Sequence, residues 1–233
     1  MLAIFKREFK MYFITPIGYI AMAAFLFFEG MFFGLLYQMG STDVTLIISS
    51  MSTVVIFVLP FITMKMLSDD KRQKVDQILL TAPVTVTAII MGKFLAGLAV
   101  FAIMFAPTLV FQIIVSFLAS ANWLEYLYCL FGMLLLGSAM IAIGMFISSL
   151  TESSVIAAVL TMVINIVVMM ATSFASSFAA QWVTTVAKSI SFIDRFGNFT
   201  MSVLSVADVV YFLSIAALFI FLSVRSVEKR RWS

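Results

Sequence analysis

Histidine is absent from this 233-residue chain, and cysteine occurs once, at Cys129. Without an imidazole, a Ser-His-Asp or Cys-His nucleophile lacks its base, and without a His/Cys cluster a zinc, haem or iron–sulfur site lacks ligands. A single cysteine also excludes an intrachain disulfide, so Cys129 is read as a packing residue. The GxxxxGK[ST] phosphate loop is missing too: Gly92-Lys93 is followed by Phe94 and has no upstream glycine to cradle phosphate. Charge is equally scarce. Asp, Glu, Lys and Arg make up 11% of the chain against 64% hydrophobic residues, where soluble domains carry about 25% and about 45–50%. That balance excludes a soluble catalytic domain.

What fills the chain instead is a series of apolar runs. They predict an all-α polytopic membrane protein: an N-terminal amphipathic interfacial helix at 1–15, then transmembrane helices at 17–39, 44–66, 87–120, 124–148, 155–173 and 207–224. Spans of about 20 residues use up nearly the whole length, which leaves a single membrane domain, 1–233. The first run is too long for a signal-peptide core and reads as a retained span. Ahead of it, Leu2, Phe5, Phe9, Tyr12 and Phe13 fall on one helical face, with Lys6, Arg7 and Lys10 on another, as a helix lying on a membrane requires. Pro16 and Gly18 predict the turn into the bilayer. The 87–120 run exceeds one crossing and contains Pro107, which predicts a kink or an extension. The Ser- and Thr-rich stretch 174–206, with Lys188, Asp194 and Arg195, reads as short extracytoplasmic re-entrant or interfacial helices rather than a seventh crossing.

Charge placement sets an orientation. With the N-terminus inside, Lys6, Arg7 and Lys10, then Lys65, Lys71, Arg72, Lys74 and Lys93, then Arg225, Lys229, Arg230 and Arg231 all fall on the cytosolic side. Lys188 and Arg195 fall outside. The bias of Lys and Arg toward cytoplasmic loops therefore predicts cytosolic N- and C-termini. Membrane lipids, rather than nucleic acid, account for the net charge of +3.

The largest polar excursion is the 67–86 link. Ser68 is placed to cap a helix whose first turn holds Asp69 and Asp70, Val75, Ile78 and Leu79 share one face, and Ala82-Pro83 ends it. This is either a docking helix or a solvated charged loop. Within the spans, Glu29 places a carboxylate near a helix centre, where the insertion penalty for an acid is about 2.5–3.5 kcal/mol. It must face protein or water, as part of a path or as an interhelical partner. Gln112 and Asn165 are read as interhelical hydrogen-bonding groups, and Gly132, Gly137 and Gly144 as points of close helix approach. Phe192, Phe196 and Phe199 recur on one face near the expected outer surface.

Four stretches, LLTAPV at Leu79 to Val84, GKFLAGL at Gly92 to Leu98, GMFISSLTES at Gly144 to Ser153 and VVYFLSIAALFIFLSVRSVEKRRW at Val209 to Trp232, carry a resemblance in order along the chain. Together they resemble the membrane subunits of ABC-2 type transporters, most closely the permeases of gliding-motility and copper-enzyme-maturation systems. The resemblance implies a six-span half of a dimeric exporter in the bacterial cytoplasmic (inner) membrane, paired with a second copy or a paralogous permease. It implies no catalysis or cofactor in this chain, with ATP and Mg on a separate ABC ATPase subunit. It further implies that the first helix is an elbow and that the helix after span 2 couples to the ATPase, through Ser68, Asp69, Asp70, Lys71, Arg72, Lys74, Asp76, Gln77 and Leu79. By the same resemblance the 174–206 segment would be an outer gate, and Phe192, Phe196 and Phe199 would belong to it, while the residues alone equally allow interfacial anchoring. Lys74-Val75-Asp76-Gln77 stands where many relatives have Gly-Thr-x-Glu, so the ATPase contacts are not carried over residue by residue. The residues alone also allow an ion-coupled secondary transporter built around Glu29, or a non-transporting membrane scaffold for an ATPase.

Overall fold

Apolar segments in a bilayer must satisfy every backbone N–H and C=O internally, and helices do so within one segment. The computed structural model describes residues 1–72, 85–118, 121–171 and 190–231, and among these every regular element is a helix. In chain order they are α1 (Leu2–Ile14), α2 (Pro16–Gln38), α3 (Thr45–Thr63), α4 (Ser68–Arg72), α5 (Val86–Met104), α6 (Ala106–Leu118), α7 (Trp123–Leu150), α8 (Ser154–Met169), α9 (Phe192–Thr200) and α10 (Val206–Arg231). Five stretches are long and apolar enough to cross a membrane: α2, α3 with its continuation to Arg72, α5 with α6, α7, and α10. Helix α8 is apolar but has 16 residues. At about 1.5 Å per residue it falls short of a hydrocarbon core of about 30 Å. Among the described residues, five helical stretches thus have the length and composition to cross a membrane.

The breaks have local causes. Thr15 is extended and Pro16 opens α2, where its missing N–H costs no helix bond. Gly18 permits the corner, because a Cβ there would collide with the Tyr12 carbonyl. The long third stretch bends at Phe105, two residues ahead of Pro107. Proline cannot donate to the carbonyl four residues back, and its ring crowds that carbonyl. The Phe105 N–H turns to the Ala102 and Ile103 carbonyls instead.

Helix α7 is the central post. It packs against α3, α5, α8, α9 and α10 and is buried along most of its length. Small residues make these approaches possible. A Cβ on Gly132 would lie 2.5 Å from the Phe199 ring, and one on Gly137 or Gly144 would strike Phe101 or Thr63. Outward faces remain apolar, with Phe27, Leu127, Phe131, Val163 and Phe221 exposed, as lipid-facing surface should be.

Candidate functional site

The chain leaves α3 at Met64 and turns into α4, and the turn is pinned by a hydroxyl from the end of α7. Ser148 Oγ accepts from the backbone N–H groups of Leu67 at 3.1 Å and Ser68 at 3.0 Å, and donates to the Met64 carbonyl at 3.0 Å. One buried serine thus serves three backbone groups of another helix, each of which would cost about 1–3 kcal/mol if left unsatisfied. Lys71 Nζ adds a bond to the Leu150 carbonyl at 3.3 Å. Ser68 does not cap α4 as its position predicts. It is fully buried, and its hydroxyl donates back to the Met64 carbonyl. Its N–H is already claimed by Ser148, so the residue closes the turn rather than opening the helix.

Beside this turn lies an ion cluster. Lys93, on the second turn of α5, is 2% exposed, and its ammonium sits 2.8 Å from Asp70 and 3.0 Å from Glu8 of α1. Glu8 also accepts from Arg7 at 2.5 Å, which raises the guanidinium pKa above its usual value. Lys65 and Asp69 face each other at 3.6 Å one turn away. Tyr12 of α1 donates to the Ile62 carbonyl at 3.0 Å, and burial, reinforced by the nearby Glu8 carboxylate, pushes its phenol above the ordinary range. A cavity of about 220 Å³ lies among Glu8, Tyr12, Lys65, Asp69, Asp70 and Lys93. Three separate segments, α1, α4 and α5, are therefore tied through one ammonium. A buried ammonium requires partners because its desolvation costs several kcal/mol. Lys93 accordingly acts as an internal tie and not as the solvated topological charge that its place among the basic residues predicts. Its sequence signal was its isolation in an otherwise apolar run, TAIIMGKFLAGLAV, where a lone Lys must find a partner.

A family model described as ABC-2 type transporter matches residues 1–191 of the chain. The chain belongs to the ABC-2 type transporter family. No curated protein matches it. As an ABC-2 permease subunit the chain is a membrane transport component rather than a catalyst, and the family as a whole works with ABC ATPases. The match takes in α1 to α8 and so contains the whole ion cluster.

The other expected site residues of this permease are scattered. Asp69 and Lys71 are half-buried and Arg72 is exposed at the end of α4, whereas Lys74, Asp76, Gln77, Leu79 and Lys188 lie outside the described residues. Gln112 is buried and donates to the Asn122 carbonyl at 3.5 Å, a link to the following loop rather than to another span. Asn165 is buried with neither side-chain atom partnered among the described residues, so the interhelical bond expected of it is not made here. Glu29 is fully buried, and both of its carboxyl oxygens likewise lack a partner among the described residues. Phe192, Phe196 and Phe199 are all buried, with Phe199 against Gly132 and Phe192 against Phe212. In this arrangement the aromatic face of α9 packs on α7 and α10. Asp208 of α10 holds the segment through Arg195 at 2.8 Å and Asn198 at 2.7 Å.

Proposed function

We propose that the chain is one six-span half of a dimeric, ATP-driven ABC exporter in the bacterial cytoplasmic membrane, with both termini cytosolic and α1 lying at the inner interface. ATP and Mg bind to a separate ATPase subunit. The 67–86 link receives its movement. The observation that carries this reading is the Lys93 bridge between Glu8 and Asp70. A short polar segment displaced on its own would dissipate motion as local rearrangement. Bound by buried charge to α1 and α5 and by Ser148 to α7, α4 moves only if those helices move with it. A rigid contact of this kind transmits displacement because packed interiors shift between discrete arrangements rather than deform smoothly.

The test uses the permease purified with its ABC ATPase subunit and reconstituted. Charge reversal at Asp70, Arg72 and Asp76 should abolish ATPase recruitment or uncouple ATP hydrolysis from transport, while Glu125→Gln at the opposite end of α7 should do neither. Intact recruitment and transport in the triple reversal would refute the coupling assignment. A purified complex with no substrate-stimulated ATPase activity would point to the scaffold reading.

A further inference from the structure

Glu29 sits at an unusual place for an acid. It is fully buried in the middle of α2, and neither oxygen has a partner among the described residues. Two aromatic contacts set its register against the bend at Phe105 and α6 beyond it: Phe25 meets Phe105 with ring centroids 4.9 Å apart, and Phe33 meets Phe111 at 4.2 Å. Glu29 lies one helical turn from each of Phe25 and Phe33, which brings it level with Thr108, between Phe105 and Phe111.

Thr108 begins a polar file within an apolar bundle. Its hydroxyl donates to the Phe105 carbonyl at 2.7 Å and lies 2.8 Å from the Tyr126 hydroxyl. With its single proton committed to Phe105, Thr108 must accept from Tyr126. Gln112 stands one turn further along the same face of α6 and donates to the carbonyl of Asn122, which is exposed at the start of α7. Polar groups therefore lead from the level of Glu29 to the end of the bundle that carries the 121–122 loop. In the other direction the neighbours of Glu29 along its own face, Phe25 and Ala21, are apolar. The titratable groups nearest this level are Tyr126, which meets Thr108 of α6, and Cys129, both on α7. Asp43, ahead of α3, is already engaged by Thr45. The charged residues Glu8, Lys65 and Lys93 of α1, the α3–α4 turn and α5 belong to the opposite end.

We propose that Glu29 is a proton-binding carboxyl in the membrane interior, loaded and unloaded from the Asn122 end through the Thr108, Tyr126, Gln112 file. Hydronium arriving along the file transfers its proton to a Glu29 oxygen, forming an O–H bond and leaving water. Return of that proton to water leaves a carboxylate, which an apolar interior tolerates only if the site rearranges to solvate it. Loss of the proton would thereby favour another packing of α2 against α6. The site requires only that these helices span a membrane, and it does not depend on which partner drives the permease.

The experiment uses the full chain in proteoliposomes with the pH of the two faces set independently. A carbodiimide reacts with protonated carboxyls in apolar surroundings, and its adduct is located by mass spectrometry. An infrared carboxylic-acid band gives a second readout. Asn122→Cys with an impermeant maleimide reports which face carries the loop, since Cys129 is buried. The expected result is an adduct at Glu29 and an acid band, both lost in Glu29→Gln. Both should fade when the face carrying Asn122 is made alkaline, and Gln112→Leu with Tyr126→Phe should slow that response at least tenfold. A signal that follows the opposite face, that ignores pH, or that is absent in both readouts would overturn the proposal. Protection by sodium at constant pH would overturn it in favour of a cation site. A reversed Asn122 location with the same pH response would leave the proton site standing and refute only the membrane orientation.

Discussion

Lys93 is the residue on which α1, α4 and α5 converge. Lys93→Met would leave Glu8 and Asp70 facing one another across a buried gap, and breaking a buried pair costs about 3–5 kcal/mol. The expected outcome is a markedly lower melting temperature in detergent. The triple variant Lys93→Met, Asp70→Asn, Glu8→Gln should recover most of that loss, because no uncompensated charge remains. If it recovers nothing, the bridge is not what holds the three segments. Ser148→Ala should cost less in melting temperature, but it frees the Leu67 and Ser68 N–H groups and should speed tryptic cleavage at Lys71 and Arg72 severalfold. At this scale the chain alone revealed a lone Lys in an apolar run. It could not reveal that Glu8 and Asp70 were the partners, because the pairing depends on how α1 folds back beneath α5.

At the scale of elements, periodicity and punctuation are informative wherever the deciding interaction is local. Pro16 opens α2, and the bend at Phe105 follows from a proline two residues on. Ser68 misled for the same reason: capping is a local expectation, and a hydroxyl from α7 displaced it. Glycine-mediated packing of α7 yields a sharp prediction. Gly132→Ala pushes a methyl into Phe199 and should destabilise by about 1–3 kcal/mol, the range for overpacking. Phe199→Ala in the same chain should relieve the clash, so the two changes should be clearly non-additive in thermal unfolding. Additivity would mean that α9 does not dock on α7 in the membrane. The aromatic face of α9 was visible in the sequence as a repeat of Phe192, Phe196 and Phe199, but the surface it meets was not.

For the whole molecule, α7 places Asn122 and the Ser148 turn at opposite ends of one long helix. Impermeant reagents should therefore label Asn122→Cys and Arg72→Cys from opposite faces of sealed vesicles, with Arg72→Cys reached from the cytosolic side. Labelling of both from one face would rule out a transmembrane α7. Composition by itself determined that this chain lives in a bilayer and is helical, because long apolar runs with little charge admit no other backbone solution. The tertiary structure decided which polar groups meet. It buried Lys93 between two distant carboxylates, set Ser148 against a turn of another helix, and left Glu29 within the bundle without a partner among the described residues. The physical reason is range: burying apolar area needs only an average over many residues, whereas an ion pair or a hydrogen bond needs two atoms within about 3 Å, and only the packing of the helices brings them there.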